Sequence, residues 1–321
     1  MSGFFTRQSM LVLHKRKKNV GESLLTNIKK HKVLYIMAVL PIVYYVIFHY
    51  WPMYGLIIAF KRFSPGLGIL KSEWVGFQYF QQFFTDVFFL RTIRNTLMIN
   101  VYQLIFGFPV PIIFALLLNE MGRGKYKRLC QTISYLPHFI SAMIVCSIVI
   151  QFTQDKGVVT VFLSKIFGIE PINLLIKPGY FRPIYIIQSI WQNFGWNSII
   201  YLAALAGVDM ALYEAATVDG ANRWQKMTHI TLPSILPTIM IILTLRIGSL
   251  MSEGSEKILL LYNPAIYETA DVISTYVYRR GLMQMDYSYG SAVGLFNSVV
   301  NLLLLITGNF ISKKLTESSL W

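Results

Sequence analysis

Charge is scarce in this sequence, and acids are the scarcest charges. Only 14% of the 321 residues are charged and 55% are hydrophobic, whereas an average globular chain carries about 25% charged residues. So little charge cannot cover a soluble surface, which excludes an ordinary soluble enzyme and indicates an integral membrane protein. The 15 acids stand against 29 Lys and Arg, a formal net charge of +14. In a membrane protein this excess is typical of positive cytoplasmic loops, so we expect no nucleic acid as a partner.

Sequence patterns that carry chemistry are missing as well. There is no GxxxxGK[ST] phosphate loop, no HExxH helix and no GxSxG nucleophile elbow, and the five histidines are scattered. The two cysteines, Cys130 and Cys146, lie about 24 Å apart if one helix contains both. That separation is too large for a disulfide bond. We therefore expect no catalytic residue, no metal and no cofactor on this chain.

Long apolar runs are abundant. A membrane span needs roughly 20 apolar residues, because the hydrocarbon core is about 30 Å thick. Six runs have that length, which predicts an all-α integral membrane protein with six transmembrane helices. The predicted spans are about 33–60, 92–118, 129–152, 183–206, 233–252 and 288–311. They form one membrane domain over 33–312, between a basic segment at 1–32 and a tail at 313–321.

Positive residues predict the orientation, because Lys and Arg resist translocation. The first 32 residues contain eight of them against a single acid, Glu22. The connection 119–128 adds four more, and the tail adds Lys313 and Lys314. Both termini and the loop 209–232 are therefore predicted to be cytoplasmic. We expect the basic segment to set the topology and to attract anionic membrane lipids.

The loop 209–232, between the fourth and fifth predicted spans, carries a fixed pattern. Glu-Ala-Ala is followed after three residues by Gly, then after nine residues by Ile, and then by a Leu-Pro pair. Residues 210–218 favour a helix, Asp219-Gly220 favours a turn, and 221–230 favours a second helix. Leu232-Pro233 is expected to end this elbow and to start the fifth span. The pattern residues are Glu214, Ala215, Ala216, Asp219, Gly220, Ile230, Leu232 and Pro233.

This pattern matches the EAA signature of binding-protein-dependent ABC import permeases. Other stretches, among them FHYWPMYGLIIAFKRF, RNTLMINVYQLIFGFPVPIIFALLLNE and QTISYLPHFISAMIV, resemble the polysaccharide-type permeases of the carbohydrate-uptake ABC family, which are relatives of the maltose permeases. The resemblance covers nearly the whole chain. It implies the ABC type I importer permease fold in a bacterial cell membrane, with the loop 209–232 coupling the chain to an ATPase.

The resemblance also implies partners and a cargo. The partners are a second homologous permease, two ATPase subunits that bind ATP and Mg²⁺, and an extracytoplasmic solute-binding protein. The implied cargo is an oligosaccharide, such as a pectin or rhamnogalacturonan fragment containing uronates, with aldouronate and alginate pieces as alternatives. From the residues alone, a secondary transporter driven by an ion gradient stays open as an alternative, although no acid lies clearly within a predicted span.

Polar residues inside the predicted spans are candidates for the translocation path. Gln188, Trp191 or Gln192, and Gly195 share one helical face of the fourth span, where aromatic rings and amides can contact sugars. The alternative is that such residues hold helices together by hydrogen bonds. The full set of path candidates is Gln188, Trp191, Gln192, Asn193, Trp196, Arg246, Asn297 and Asn301.

Arg246 and an outer group of residues leave further alternatives open. A guanidinium well inside the fifth span, as Arg246 is predicted to be, should be paired or hydrated. It can bind a uronate carboxylate, pair with Glu253, or pair with a partner subunit. In the connection 253–287, a mixture of tyrosines and arginines indicates either a docking surface for the binding protein or a helix lying in the membrane interface. The docking candidates are Tyr276, Tyr278, Arg279 and Arg280.

Overall fold

The computed structural model describes residues 29–122, 124–168, 170–252 and 254–316. Most of the basic segment 1–32 and part of the tail 313–321 therefore lie outside the described residues. The chain divides into two units after Ile57. In the first unit the apolar run folds as α1 Lys32–Tyr45, a π turn Val46–Tyr50 and α2 Trp51–Met53. A 3₁₀ stretch, Tyr54–Phe60, continues it.

Among its described residues, the second unit is mainly helical and contains one pair of two-residue strands. Its α-helices in chain order are α3 Gly68–Lys71, α4 Gln78–Phe84, α5 Phe89–Tyr102, α6 Pro109–Glu120, α7 Lys125–Tyr135, α8 Ala142–Thr153, α9 Val158–Phe167, α10 Pro178–Ala206, α11 Met210–Val218, α12 Arg223–Lys226, α13 Leu232–Gly248, α14 Ser255–Leu261, α15 Tyr267–Ala270, α16 Ile273–Val277 and α17 Tyr287–Thr316. Short π or 3₁₀ turns join several of them: Gln103–Gly107, Leu136–Phe139, Leu174–Ile176, Met227–Thr231, Pro264–Ile266 and Tyr278–Met283.

The two strands form a small antiparallel hairpin. β1 Lys61–Arg62 pairs with β2 Glu73–Trp74, with Lys61 opposite Trp74. The hydroxyl of Ser288, at the start of α17, accepts a hydrogen bond from the Phe63 amide (2.9 Å) and donates one to the Lys61 carbonyl (2.7 Å). The hairpin is thereby fastened to the amino end of α17.

Five helical stretches among the described residues are long and apolar enough to cross a membrane. They are Lys32–Phe60, Phe89–Glu120, Ala142–Phe167, Arg223–Gly248 and Tyr287–Lys314. A sixth span requires α10 and α11, which are bent by 69°, to be taken together. α10 has the length to cross alone, but its polar side chains lower its mean hydropathy. The prediction of membrane-spanning helices is thus confirmed, and the exact number of six stays a prediction.

The helix of the third predicted span, 129–152, is interrupted in the structure, and its bounds in the membrane stay a prediction. The helix breaks between α7 and α8 at the 3₁₀ turn Leu136–Phe139, and the apolar stretch of spanning length is Ala142–Phe167. Pro137 has no N–H to donate, so it cannot continue the α-helical hydrogen bonding of α7. Ser141 then begins a new helix, because its hydroxyl accepts a hydrogen bond from the Ile144 amide (3.4 Å).

Two long-range helix pairs hold the functional elements in place. α10 packs against α6, and α13 packs along α17. Glycine allows the second pair to approach closely, since a β-carbon at Gly248 would lie 2.6 Å from the Leu305 side chain. Tyr201, Ile235 and Ala115 bury their side chains in a core shared by α6, α10 and α13. These contacts fix part of the wall of a cavity that α6, α10 and α13 line.

Candidate functional site

The first arm of the elbow, α11, is closed at both ends by local hydrogen bonds. Asp209 caps its start, because the carboxylate accepts a hydrogen bond from the Ala211 amide (2.9 Å). At its end, the Ala221 amide donates to the Ala216 carbonyl (2.9 Å) and the Gly220 amide donates to the Thr217 carbonyl (3.1 Å). This is a Schellman turn, which needs a left-handed residue, and Gly220 has φ of 77°. The predicted helix over 210–218 and the predicted turn are both confirmed.

The second arm of the elbow is continuous with the following span. Asn222 and Gln225 form a reciprocal capping box at its start. From there a single helical stretch runs through the π turn Met227–Thr231 to Gly248. As expected, α13 starts at Leu232 with Pro233 in its first turn, but no break separates it from the elbow. A wider π turn just before Pro233 accommodates a residue that has no N–H and would crowd a normal helical turn.

Side chains tie the two arms together around a cleft. The Tyr213 and Thr231 hydroxyls are hydrogen-bonded (2.9 Å), and the Lys226 ammonium donates to the Thr217 hydroxyl (2.7 Å). The cleft has a volume of about 380 Å³, and four pattern residues line it: Ala216, Asp219, Gly220 and Ile230. The elbow is thus a rigid, folded unit rather than a flexible connection.

The elbow presents an exposed surface with mixed chemistry. Glu214 and Ala215 are exposed, and Glu214 forms no ion pair with any residue that the structure describes. Leu232 and Pro233 are exposed as well. Apolar side chains stand beside them, with Val218 88% exposed and Trp224 68% exposed. Exposed apolar and aromatic groups beside free carboxylates are typical of a protein-binding surface.

A larger cavity, of about 940 Å³, lies among α5, α6, α10, α13 and residues 249–257. Three of the predicted path residues line it: Asn193, Trp196 and Arg246. Its wall also contains polar side chains that were not predicted, namely Asn100, Gln103, Ser189, Asn197, Glu256 and Lys257. The cavity is therefore lined by amides, hydroxyls, an indole and charged groups, which suits a hydroxyl-rich solute.

The helical face of α10 that was predicted to line the path packs against protein instead. Gln188 is buried and donates to Gln192, and Gln192 donates to the Ile140 carbonyl at the helix break (both 2.9 Å). Gly195 lies directly against the Ser134 backbone. The lining face is offset by one residue and includes Ser189, Asn193 and Trp196. Gln188 and Gln192 therefore make hydrogen bonds within the helix bundle instead of lining this cavity.

Three other path candidates do not line this cavity. Trp191 is 45% exposed and is not among the residues that line the cavity. Asn301 accepts a hydrogen bond from the Met251 amide (2.9 Å) and donates to the Ser252 hydroxyl (2.6 Å), so it fastens the end of α13 to α17. The Asn297 side-chain oxygen is buried with no partner among the described residues. Within this chain, the structure gives Asn301 a structural role.

Arg246 lies nearer the end of its helix than predicted. It stands in the last turn of α13, which ends at Gly248 rather than at residue 252. A cation at this end of a helix is favoured by the helix dipole. Arg246 has no ion pair among the residues that the structure describes, and Glu253, the suggested partner, lies outside them. Arg246 therefore offers its charge to the cavity.

The predicted docking arginines face inward. Asp271 is fully buried and accepts hydrogen bonds from Arg279 (2.8 Å) and Arg91 (2.9 Å). Asp86 accepts hydrogen bonds from Arg280 (2.7 Å) and from the Tyr276 hydroxyl (2.6 Å). Tyr276, Arg279 and Arg280 thus form hydrogen bonds and ion pairs within this chain, and their role in docking stays a prediction. Tyr278 is 40% exposed and remains a docking candidate.

The electrostatics of the network around Asp86 and Asp271 agree with its geometry. Burial raises the pKa of the Asp86 carboxyl, but hydrogen bonds from Tyr276, the Phe88 amide and Tyr289, together with the charge of Arg280, outweigh burial and lower the pKa below its usual value. The pKa of Arg279 is raised, because the hydrogen bond and charge of Asp271 outweigh burial of the guanidinium. The ionised forms of Asp86 and Arg279 are therefore favoured.

Comparison with known proteins adds a family to this geometry. A family model described as "Binding-protein-dependent transport system inner membrane component" matches residues 107–317. Protein LplB of Bacillus subtilis (strain 168) is 47% identical over 94% of this chain and 95% of its own length. The polygalacturonan/rhamnogalacturonan transport system permease protein YteP of the same strain is 44% identical over 95% of each chain. A bacterial alginate ABC transporter, crystallised with a periplasmic protein carrying alginate pentasaccharide, matches with a TM-score of 0.84 and 44% identity over 92% of this chain and 99% of that one.

Proposed function

Because the chain belongs to the family of binding-protein-dependent transport system inner membrane components, we propose that it moves oligosaccharides by alternating access, driven by a separate ATPase. The chain is a multi-pass permease subunit of an ABC importer in the bacterial cell membrane. Permeases similar to it transport sugars and oligosaccharides. The family does not favour the alternative of a secondary transporter driven by an ion gradient. The observation that carries the proposal is the continuous helix that joins the elbow to the cavity wall.

The elbow is the proposed contact with the ATPase. Its exposed apolar groups, Val218 and Trp224, offer burial area, and Glu214 offers a carboxylate to a basic partner group. Any rotation imposed on the second arm of the elbow is passed to α13 without an intervening loop, because the arm and α13 form one helical stretch, Arg223–Gly248. Hydrolysis of ATP, with its Mg²⁺, belongs in this proposal to two ATPase subunits, and a second homologous permease completes the path.

The proposed orientation places the elbow and both termini in the cytoplasm. Arg223 and Lys226 add to the positive charge on the elbow side, as the charge rule favours. The hairpin β1–β2 and the network around Asp86 and Asp271 then face outward, toward a solute-binding protein. This arrangement puts the Arg246 end of the cavity near the outer surface.

An acidic oligosaccharide is the proposed cargo. YteP is named for polygalacturonan and rhamnogalacturonan transport, and the similar solved transporter imports alginate. Both names describe uronate polymers, which carry a carboxylate on each uronate ring. In this chain the amides and Trp196 of the cavity suit the sugar rings, and Arg246 suits a carboxylate. Aldouronate oligosaccharides share that chemistry and remain an alternative cargo.

Reconstitution tests the proposal directly. The chain, its companion permease and the ATPase are placed in liposomes, and the loaded binding protein is added outside. We expect uptake of labelled oligogalacturonide that requires ATP inside and binding protein outside. Uptake by this chain alone, driven by a proton or sodium gradient, would contradict the ATP-driven mechanism.

Arg246 provides a test of the cargo. In the reconstituted importer, Arg246→Gln should slow uptake of an acidic oligosaccharide about tenfold or more, since a charged hydrogen bond is worth about 1.5–3 kcal/mol. Uptake of a neutral oligosaccharide should change little. Arg246→Lys is the matched control, because it keeps the charge without the bidentate geometry and should fall in between. Equal losses for acidic and neutral sugars would assign Arg246 to structure instead.

A further inference from the structure

The helix break between α7 and α8 lies directly behind the cavity wall. The 3₁₀ turn Leu136–Phe139 packs on α10, and Gln192 holds it there through the Ile140 carbonyl (2.9 Å). Neither His138 nor Phe139 lines the cavity, but both contact a residue that does. The break therefore supports the wall from its outer side.

His138 contacts two lining residues at once. Its ring lies parallel to the Trp196 indole, with centroids 4.6 Å apart and planes 3° apart. Its Nδ1 lies 3.1 Å from the Asn193 side-chain oxygen. Phe139 meets the same indole edge-on at 5.3 Å. Trp196 is still 40% exposed, so part of the indole stays open beside the cavity.

The hydrogen bonds of Asn193 indicate which ring nitrogen of His138 carries a proton. The Asn193 amide nitrogen donates to the Ser189 carbonyl (2.9 Å), which turns the amide oxygen toward His138. An oxygen acceptor requires an N–H, so Nδ1 must carry a proton.

We propose that His138 is a positioning residue for the solute path: it fixes the plane of the Trp196 indole and the orientation of the Asn193 amide, so that a sugar ring stacks on the indole while a hydroxyl binds the amide. This inference rests on the proposed function. A flat indole that is already ordered loses little entropy when it stacks on a pyranose ring. Without His138, Trp196 and Asn193 would each have to be ordered by the solute.

Three variants of the complete reconstituted importer separate stacking from folding. His138→Ala removes ring and donor, His138→Phe keeps the ring, and His138→Asn keeps a donor. The probe is labelled alginate pentasaccharide or oligogalacturonide on the binding protein. We expect His138→Ala to lower the maximal uptake rate about tenfold, equivalent to about 1.4 kcal/mol, with His138→Phe recovering most of it and His138→Asn little. Basal ATP hydrolysis and the half-saturating concentration of binding protein should not change.

Tryptophan fluorescence gives a second readout that needs no solute. His138→Ala should raise acrylamide quenching of the purified importer, and it should have no such effect when Trp196 is already phenylalanine. The proposal would be overturned if His138→Ala raised quenching equally whether residue 196 is tryptophan or phenylalanine. Unchanged uptake by His138→Ala would also overturn it. So would a loss of basal ATP hydrolysis that His138→Phe does not restore. If the unaltered importer transports neither probe, the proposed cargo fails, while the quenching comparison still decides the role of His138.

Discussion

Replacing Gly220 with valine should abolish coupled transport while leaving the chain in the membrane. Gly220 has φ of 77° and closes the Schellman turn at the end of α11. A left-handed conformation costs an ordinary L-residue roughly 1–2 kcal/mol, and a β-branched residue is a genuine outlier there. No atom lies within 4 Å of a β-carbon built at Gly220, so the cost is purely conformational. The elbow would relieve it by changing the angle between its two arms.

A second glycine supplies the matched control for this prediction. Gly168 ends α9 with φ of 65° and also has no atom within 4 Å of a built β-carbon. Gly168→Val therefore carries the same backbone strain outside the elbow. Gly220→Asn is the conservative variant, because Asn tolerates the left-handed region better than other residues.

The measurement compares ATP hydrolysis with solute uptake in the reconstituted importer. Gly220→Val should reduce ATP hydrolysis stimulated by loaded binding protein, and uptake, at least tenfold. Gly220→Asn should keep a substantial part of both activities, and Gly168→Val should keep nearly all. If Gly168→Val were as defective as Gly220→Val, general backbone strain rather than elbow geometry would explain the loss.

Replacing Gly195 with alanine should destabilise the permease itself. The β-carbon would overlap the Ser134 carbonyl group, lying 2.5 Å from its carbon atom. Backbone atoms on α7 and α10 cannot rotate away, so the helices must separate. Overpacking of this kind typically costs 1–3 kcal/mol. Separation would also pull the helix break away from Gln192 and loosen the wall behind Asn193 and Trp196.

Gly179 lies in the same helix and provides the control. It stands in the first turn of α10, is exposed, and has no atom within 4 Å of a built β-carbon. Gly179→Ala should be neutral or slightly stabilising, because Ala favours a helix over Gly by up to about 1 kcal/mol. Thermal unfolding of the purified importer should show a midpoint lower by roughly 2 °C or more for Gly195→Ala. An unchanged midpoint would mean that α7 and α10 move apart easily.

The elbow was predictable because its signals are local. A helix over 210–218, a turn at Asp219-Gly220 and the capping of the second arm all involve residues within a few positions of each other. The continuity of the second arm with α13 was not predicted, because proline is read as a helix boundary. A π turn instead let the helix continue through Pro233.

The cavity wall and the outer network depend on contacts that no local pattern contains. Periodicity identified α10 as polar, but the choice between the face with Gln192 and the face with Asn193 depends on where α7 packs. Gln103 lies inside the predicted span 92–118, so a polar side chain within an apolar run was the available signal for this lining residue. Arg280 was predicted to lie on a docking surface, because its partner, Asp86, lies 194 positions away and no local pattern links the two.

The uninterrupted helix Arg223–Gly248 also has a mechanical consequence. Its 26 residues make a rod of about 39 Å, at about 1.5 Å per residue. A tilt of only about 5° at the elbow would swing the far end by about 3 Å, the size of a water molecule or a hydroxyl group. Arg246 stands near that end, so a small rocking motion of the elbow would displace the Arg246 side of the cavity by the size of a hydroxyl group.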